Sequence, residues 1–296
     1  MSRPVYAQRP SKDVTRRIFV EMLRRVAPIA DPKDYQYVGF GALEFLDFDL
    51  VHRALGIDDM YSIEMNTDLS RYEANKPYRC IEMVAGRSSA ALTRIKWRKL
   101  SIVWLDYEST LSDEVFSDLE YLASTLIPGS VLAVTLNADP GRLSDRAARF
   151  EQIVGASRVP SWASNASLGE WGWAKAQQGL VYQTLRNRLS KRADVARWHQ
   201  VLNINYRDSA RMQMICGVVV SPSLEIAAES CRFERAQGYS PGQKPVLVEI
   251  PYLTPAEEAR VRKSLPVSGR RRPARLPGVD NQMIQKYADY YQWIGV

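Results

Sequence analysis

The sequence predicts an α/β fold: a Rossmann-like, mostly parallel sheet with helices on both faces, a late antiparallel strand pair and a helical insertion. Three observations predict it. Residues 35–66, YQYVGFGALEFLDFDLVHRALGIDDMYSIEMN, read as strand, glycine turn, helix and a second strand ending in an acid. The apolar runs LSIVWL at 100–105 and SVLAVTL at 130–136 have the continuous hydrophobicity of strands buried on both faces of a parallel sheet. An amphipathic helix between those runs keeps the alternation of strand and helix that covers such a sheet on both sides.

Element by element, the chain opens with an amphipathic helix over Ser11 to Ala27, where Val14, Ile18 and Met22 recur at four-residue spacing and Pro28 stops it. The first strand, Tyr35 to Val38, runs into Gly39 and Gly41, which let the backbone turn tightly and approach a ligand. Asp47 or Asp49 is expected to cap a helix through Leu55, with Gly56 ending it. The second strand, Met60 to Met65, contains Glu64, placed 25 residues after Gly39, where such folds bind a ribose hydroxyl. Tyr78 to Ala85 is the third strand candidate. Ser112 caps a helix through Leu126, with Asp113 and Glu114 in its positive first turn, and Pro128 and Gly129 end it before the fifth strand.

After Asn137 the rhythm breaks. Arg142 to Val154 and Ala174 to Leu202 read as helices separated by the tryptophan-rich VPSWASNASLGEWGW, an insertion suited to recognising a substrate or partner. Strand character returns at Met212 to Val220 and Pro245 to Ile250, which are expected to form the terminal antiparallel pair. Thr254 with Glu257 makes a capping box for a short helix. The basic GRRRPARLPG and an aromatic helix around Tyr287 to Trp293 follow. The expected division is a helix at 1–34, a nucleotide-binding core at 35–138, the helical insertion at 139–210, and final strands, basic loop and helix at 211–296, all in one elaborated domain.

Composition narrows the function classes. The 296 residues carry 40 basic against 33 acidic side chains, a net charge of +7, which favours anionic partners such as nucleic acid or an acidic protein. No apolar run approaches the roughly 18 to 20 residues that span a bilayer, so no membrane role is expected. The N-terminus lacks the apolar segment of a secretory signal, which predicts a cytoplasmic address. Cys80, Cys216 and Cys231 have no metal-binding spacing and His52 and His199 lie far apart, so no metal site is expected. The oligomeric state is left open.

The order of five alternating strands and helices followed by a late strand pair resembles the class I S-adenosylmethionine-dependent methyltransferases, well over 35–136 and more loosely over 212–250. The resemblance implies S-adenosylmethionine as cofactor. It places the methionine part of that cofactor at Gly39 and Gly41, the ribose on Glu64, and the reacting methyl before Asp106, Tyr107 and Glu108. A carboxylate at Asp106 would orient or deprotonate an attacking oxygen or nitrogen. The family's first motif has an acid two residues before its first glycine and a third glycine, where this chain has Tyr37 and Leu43. That departure supports an alternative, a catalytically silent methyltransferase-like binding or scaffold subunit.

For a nucleic-acid substrate, the phosphate contacts are expected from Arg188, Lys191 and Arg192, read as lying on a helix that continues through Arg197 and Trp198, and from Arg270, Arg271, Arg272 and Arg275. Trp162, Trp171 and Trp173 would stack bases or line a pocket.

Overall fold

Alternation of side chains along the strands decides where the two halves of the core lie. The computed structural model describes residues 9–267 and 272–294. The strands are β1 (Gln36–Gly39), β2 (Met60–Glu64), β3 (Ile81–Ala85), β4 (Ser101–Asp106), β5 (Val131–Asn137), β6 (Arg197–Arg207), β7 (Arg211–Val220) and β8 (Val246–Val248). They form one sheet in the order β3-β2-β1-β4-β5-β7-β6-β8. The first five strands are parallel, β7 runs antiparallel to both β5 and β6, and β8 joins parallel to β6. The sheet is thus the α/β architecture that the sequence predicts.

The helices are α1 (Pro10–Arg24), α2 (Leu46–Leu55), α3 (Ser70–Asn75), α4 (Ser88–Leu92), α5 (Asp113–Thr125), α6 (Arg146–Val154), α7 (Gly172–Leu189), α8 (Glu225–Ser230), α9 (Pro255–Arg262) and α10 (Asn281–Tyr290). Tyr37, Ile102, Trp104 and Ala133 point to one face, against Ile18, Phe19, Met22 and Leu23 of α1 and Phe48 and Val51 of α2. Their neighbours Val38, Val103, Leu105 and Val134 point to the other, against α4, α5, α6 and α7. This period of two is what a parallel strand needs when both faces are covered. A separate small cluster, including Val261, Ile284 and Tyr287, holds α9 to α10.

Several local expectations hold. Ser112 accepts from the Val115 amide at the start of α5, Gly56 ends α2 in the left-handed conformation that only glycine adopts without strain, and the Thr254–Glu257 capping box is present.

Others need correction. The α2 cap is neither Asp47 nor Asp49: the helix begins at Leu46 behind Phe45, and those acids lie inside its first turn, where Asp47 pairs with Arg16 and Asp49 accepts from the Tyr78 hydroxyl at 2.5 Å. The helix expected through Leu202 stops at Leu189, and Arg197, Trp198 and their successors form β6. The late antiparallel pair is therefore β6 with β7, and the Pro245 segment supplies β8, parallel to β6. No glycine or proline marks the end of α7. The residues Ser190 to Ala193 carry good helix formers, while β6 is buried on both faces with amides among its inward side chains, which erases the alternation.

Candidate active site

The ends of β1, β2, β3 and β4 open on one cavity of about 320 Å³ at the carboxyl edge of the sheet, the place where open α/β sheets bind ligands. Gly41, Glu64, Asp106, Tyr107 and Glu108 all line it. Gly39 does not. It ends β1 where a side chain would fit only tightly, since a Cβ there would stand 3.1 Å from both the Trp104 carbonyl and the Tyr37 hydroxyl. Gly41 is required more strictly, because its Cβ would run into the Ser62 hydroxyl and stand 2.7 Å from the Phe45 ring. Its amide donates to Ser62 Oγ at 3.1 Å, which fixes the turn over the end of β2.

Glu64 is 9% exposed, and its Oε1 has no hydrogen-bond partner among the described residues. Burial pushes its pKa up, against the opposing pull of the Ala42 and Gly41 amides and the Ser62 hydroxyl. Glu64 thus lines the cavity with one carboxylate oxygen that no described residue meets, a disposition suited to ligand hydroxyls.

At the end of β4, Asp106 Oδ2 accepts from Lys12 Nζ at 2.5 Å, while Asp106 Oδ1 is buried without a partner among the described residues. Lys12 comes from the first turn of α1, which passes over the sheet edge. That turn is held from a distance: the Asp208 carboxylate, just beyond β6, accepts from the amides of Ser11 and Lys12, each at 3.0 Å. One turn further along α1, Arg16 pairs with Asp47 and also with Asp13 at 2.6 Å. Burial opposes the charge on Arg16, but Asp47, Asp106 and Asp13 outweigh it and push its pKa up. Asp47 itself is pushed up by burial beyond what Arg16 restores.

On the far side of the Lys12–Asp106 pair lies a smaller cavity of about 160 Å³, lined by Asn137, Tyr206, Asp208 and Met212 and sharing Lys12, Asp106 and Glu108 with the larger one. The pair is the wall between the two spaces. Tyr107 contributes only its ring to the larger cavity, edge to face with Phe40 at 5.2 Å, because its hydroxyl donates to Asp118 at 2.5 Å and Ser88 shares that carboxylate. Burial pushes the Tyr107 phenol well up, so it is a poor proton acceptor.

The basic residues are not gathered here. Arg188 donates to Ser124 at 2.5 Å, and Arg192 donates to the carbonyls of Ala123 and Leu126 and pairs with Asp194 at 2.6 Å. Both therefore sit at the C-terminal end of α5, next to where β5 begins, on the edge of the sheet opposite the cavity. Arg192 caps that helix end and its donors are engaged. Lys191 is exposed beside it, in the turn after α7, and Arg197 is on β6, paired with Glu225 at 2.5 Å. Arg272 and Arg275 are exposed in the C-terminal segment, whereas Arg270 and Arg271 lie outside the described residues. Trp173 is fully buried, edge-on to Phe150 and donating to Thr110, so it serves the core instead of stacking on a base.

The residues missed from sequence are Lys12, Arg16, Asp47 and Asp208. Lys12 and Arg16 stand one helical turn apart beside the apolar stripe of α1, the only local signal of a charged face turned inward.

Comparison with known proteins adds the following. Residues 4–294 match the family model described as "Putative O-methyltransferase". No curated protein matches the chain. Similar solved structures include the plantazolicin methyltransferase BamL in complex with a triazolic desmethylPZN analog and SAH, at 10% identity over 72% of this chain and 87% of that one with a TM-score of 0.45. They also include the N-methyltransferase NodS of Bradyrhizobium japonicum WM9, at 11% identity over 72% of this chain and 99% of that one with a TM-score of 0.42.

Proposed function

We propose, from the premise that this chain belongs to the O-methyltransferase family whose model spans residues 4–294, and with it to the class I S-adenosylmethionine-dependent methyltransferases, that it transfers a methyl group from S-adenosylmethionine to an oxygen of a small acceptor. The observation that carries the reading is a pair of carboxylate oxygens, Glu64 Oε1 and Asp106 Oδ1, unpartnered among the described residues, on two strand-end side chains that line one cavity. Glu64 takes the ribose hydroxyls, and Gly41 lets the backbone lie close beside the ligand. Phe40 and Tyr107 give the cavity an aromatic wall for a planar base.

When bound, the cofactor supplies an electrophilic methyl on a sulfonium. The smaller cavity holds the body of the acceptor, whose hydroxyl would reach past Asp106 into the larger cavity, with nothing between its oxygen and the methyl. Asp106 Oδ1 would orient the acceptor hydroxyl and take its proton as the oxygen bonds to the methyl carbon and that carbon's bond to sulfur breaks, while Lys12 holds Oδ2 and fixes the carboxylate. Glu108, which lines both spaces, is exposed and acts on binding of the acceptor.

The size of the smaller cavity favours a small molecule or a single side chain over a nucleic acid. Among the described residues the phosphate-binding reading draws support only from the exposed Arg272 and Arg275, since Arg188, Lys191 and Arg192 lie at the other edge of the sheet. A second reading, a catalytically silent subunit that binds the cofactor, is favoured by one observation: the Lys12–Asp106 bridge closes the wall between the cavities. A cytoplasmic address belongs to either reading. Among the described residues no helix is long and apolar enough to cross a membrane.

Calorimetry with S-adenosylmethionine and with its demethylated product, followed by methyl-label transfer to a panel of small hydroxyl, carboxyl and amine compounds, separates these readings. Binding with transfer to oxygen supports the enzyme; binding with no transfer supports the silent subunit; no binding removes both.

A further inference from the structure

The reverse face of the β6–β7 hairpin carries a third cavity, of about 300 Å³, between that hairpin, the start of α7 and the loop before β8. Successive side chains of a strand point to opposite faces. Tyr206 and Met212 face the smaller cavity of the active site, so Asn205 and Gln213 face away from it and form the floor of this one. The two are cross-strand partners, each 1% exposed, and each has a side-chain oxygen with no partner among the described residues.

The orientation of Gln213 is not arbitrary. Asn203 Nδ2 donates to the backbone carbonyls of Gly242 and Gln243, both at 3.2 Å, and a carbonyl can only accept. Asn203 Oδ1 is therefore the end left to receive Gln213 Nε2, at 2.9 Å. That leaves Gln213 Oε1, on a side chain that lines the cavity, as an acceptor with no donor to meet it among the described residues. Buried acceptors in folded proteins nearly always have a partner, so something that donates belongs there. The Asn205 side chain enters none of the described hydrogen bonds, so its carboxamide has both a donor and an acceptor to offer. Trp171 forms an aromatic wall, with the Arg211 guanidinium 5.9 Å from its ring, and the exposed Glu170 and Lys175 stand at the rim.

We propose that this cavity is a second ligand site, separate from the active site, for a small planar molecule with an N–H donor beside a carbonyl acceptor: a primary carboxamide or a cyclic lactam. The N–H donates to Gln213 Oε1, the carbonyl accepts from the Asn205 carboxamide, and the ring lies against Trp171.

The test is a nuclear magnetic resonance titration of the ¹⁵N-labelled full chain with nicotinamide, with uracil, and with N,N-dimethylnicotinamide, which lacks the N–H. Saturable shifts of the Gln213 and Asn205 side-chain amides and the Trp171 indole with nicotinamide, uracil or both support the site, and which of them binds tells carboxamide from lactam. The dimethyl compound should bind at least tenfold more weakly, and Trp171→Ala, which leaves the amide chain intact, should weaken binding about tenfold. No saturable shift at millimolar probe, equal binding of the dimethyl compound, or shifts confined to residues around Glu64 and Ser88 would overturn the proposal and leave the cavity to ordered water.

Discussion

Lys12 and Asp106 are 94 residues apart in sequence and meet at 2.5 Å, and their contact divides the space at the carboxyl edge of the sheet into a larger and a smaller compartment. Neither side chain is more than 11% exposed. Breaking one partner of such a pair strands the other charge. Lys12→Met should therefore lower stability by about 3 to 5 kcal/mol, and Lys12→Arg much less. Chemical denaturation of both variants checks this, and equal stability of Lys12→Met and the parent would mean that the pair is open in solution.

Glu64→Ala should weaken S-adenosylmethionine binding roughly ten- to hundredfold, the loss of a charge-assisted hydrogen bond of about 1.5 to 3 kcal/mol. Calorimetry measures it directly, and an unchanged dissociation constant would take the ribose away from Glu64.

The same contact sets a pH dependence. Burial raises the Glu64 pKa above its ordinary 4.5, so its protonation begins at a higher pH than that of an exposed glutamate, and cofactor affinity should fall as pH drops through that raised value. A carboxyl whose pKa is raised in the folded state binds its proton more tightly there than in the unfolded chain. Lowering pH through this window thus adds stability at Glu64, and the loss of affinity is not unfolding. Affinity of Glu64→Gln should be lower at neutral pH and flat across the same range; a parallel fall in both proteins would assign the effect elsewhere.

Asp106→Asn should reduce turnover about a hundred- to ten-thousandfold while changing cofactor affinity little, because the group acts on the acceptor. The readout is kcat beside the calorimetric dissociation constant. Parent-like turnover would exclude Asp106 as the proton acceptor.

Asp208→Ala removes the carboxylate that takes both the Ser11 and Lys12 amides and should cost about 1 to 3 kcal/mol. Thermal melts test the cost. Because α1 carries Lys12 to the wall, acceptor KM should rise more than cofactor affinity falls.

How far the sequence could be read depended on whether the decisive contact was local. The runs at 100–105 and 130–136 are buried on both faces, so their hydrophobicity alone located β4 and β5, and with them the strand end that carries Asp106. Glu64 was legible as a cavity-lining acid because it ends the second strand at a set distance from the glycine turn. Lys12 was not, since its partner lies on a strand 94 residues later and nothing near it in sequence records the contact. Strand β6 was hidden for another reason: Gln200, Asn203 and Asn205 are polar yet buried, the first two held by backbone carbonyls and by Gln178 and Gln213, so a core strand looked like the continuation of a polar helix. Arg192 looked like a phosphate contact because charge is visible in sequence and the helix end that uses it is not.

The three-residue strand β8 has a consequence for handling the protein. It occupies the outer edge of the 11-residue β6 and is fastened by the C-terminal helix, where the Tyr290 hydroxyl donates to the Leu247 carbonyl at 3.1 Å and Lys286 pairs with Glu249 at 2.7 Å. A long edge left unpaired is a template for pairing with another chain. A chain shortened before Pro245 should keep the larger cavity at the other end of the sheet but precipitate or form concentration-dependent oligomers, visible by light scattering. Soluble expression of this protein, and any attempt to trim it to a minimal domain, therefore depends on its last fifty residues more than on the basic loop within them.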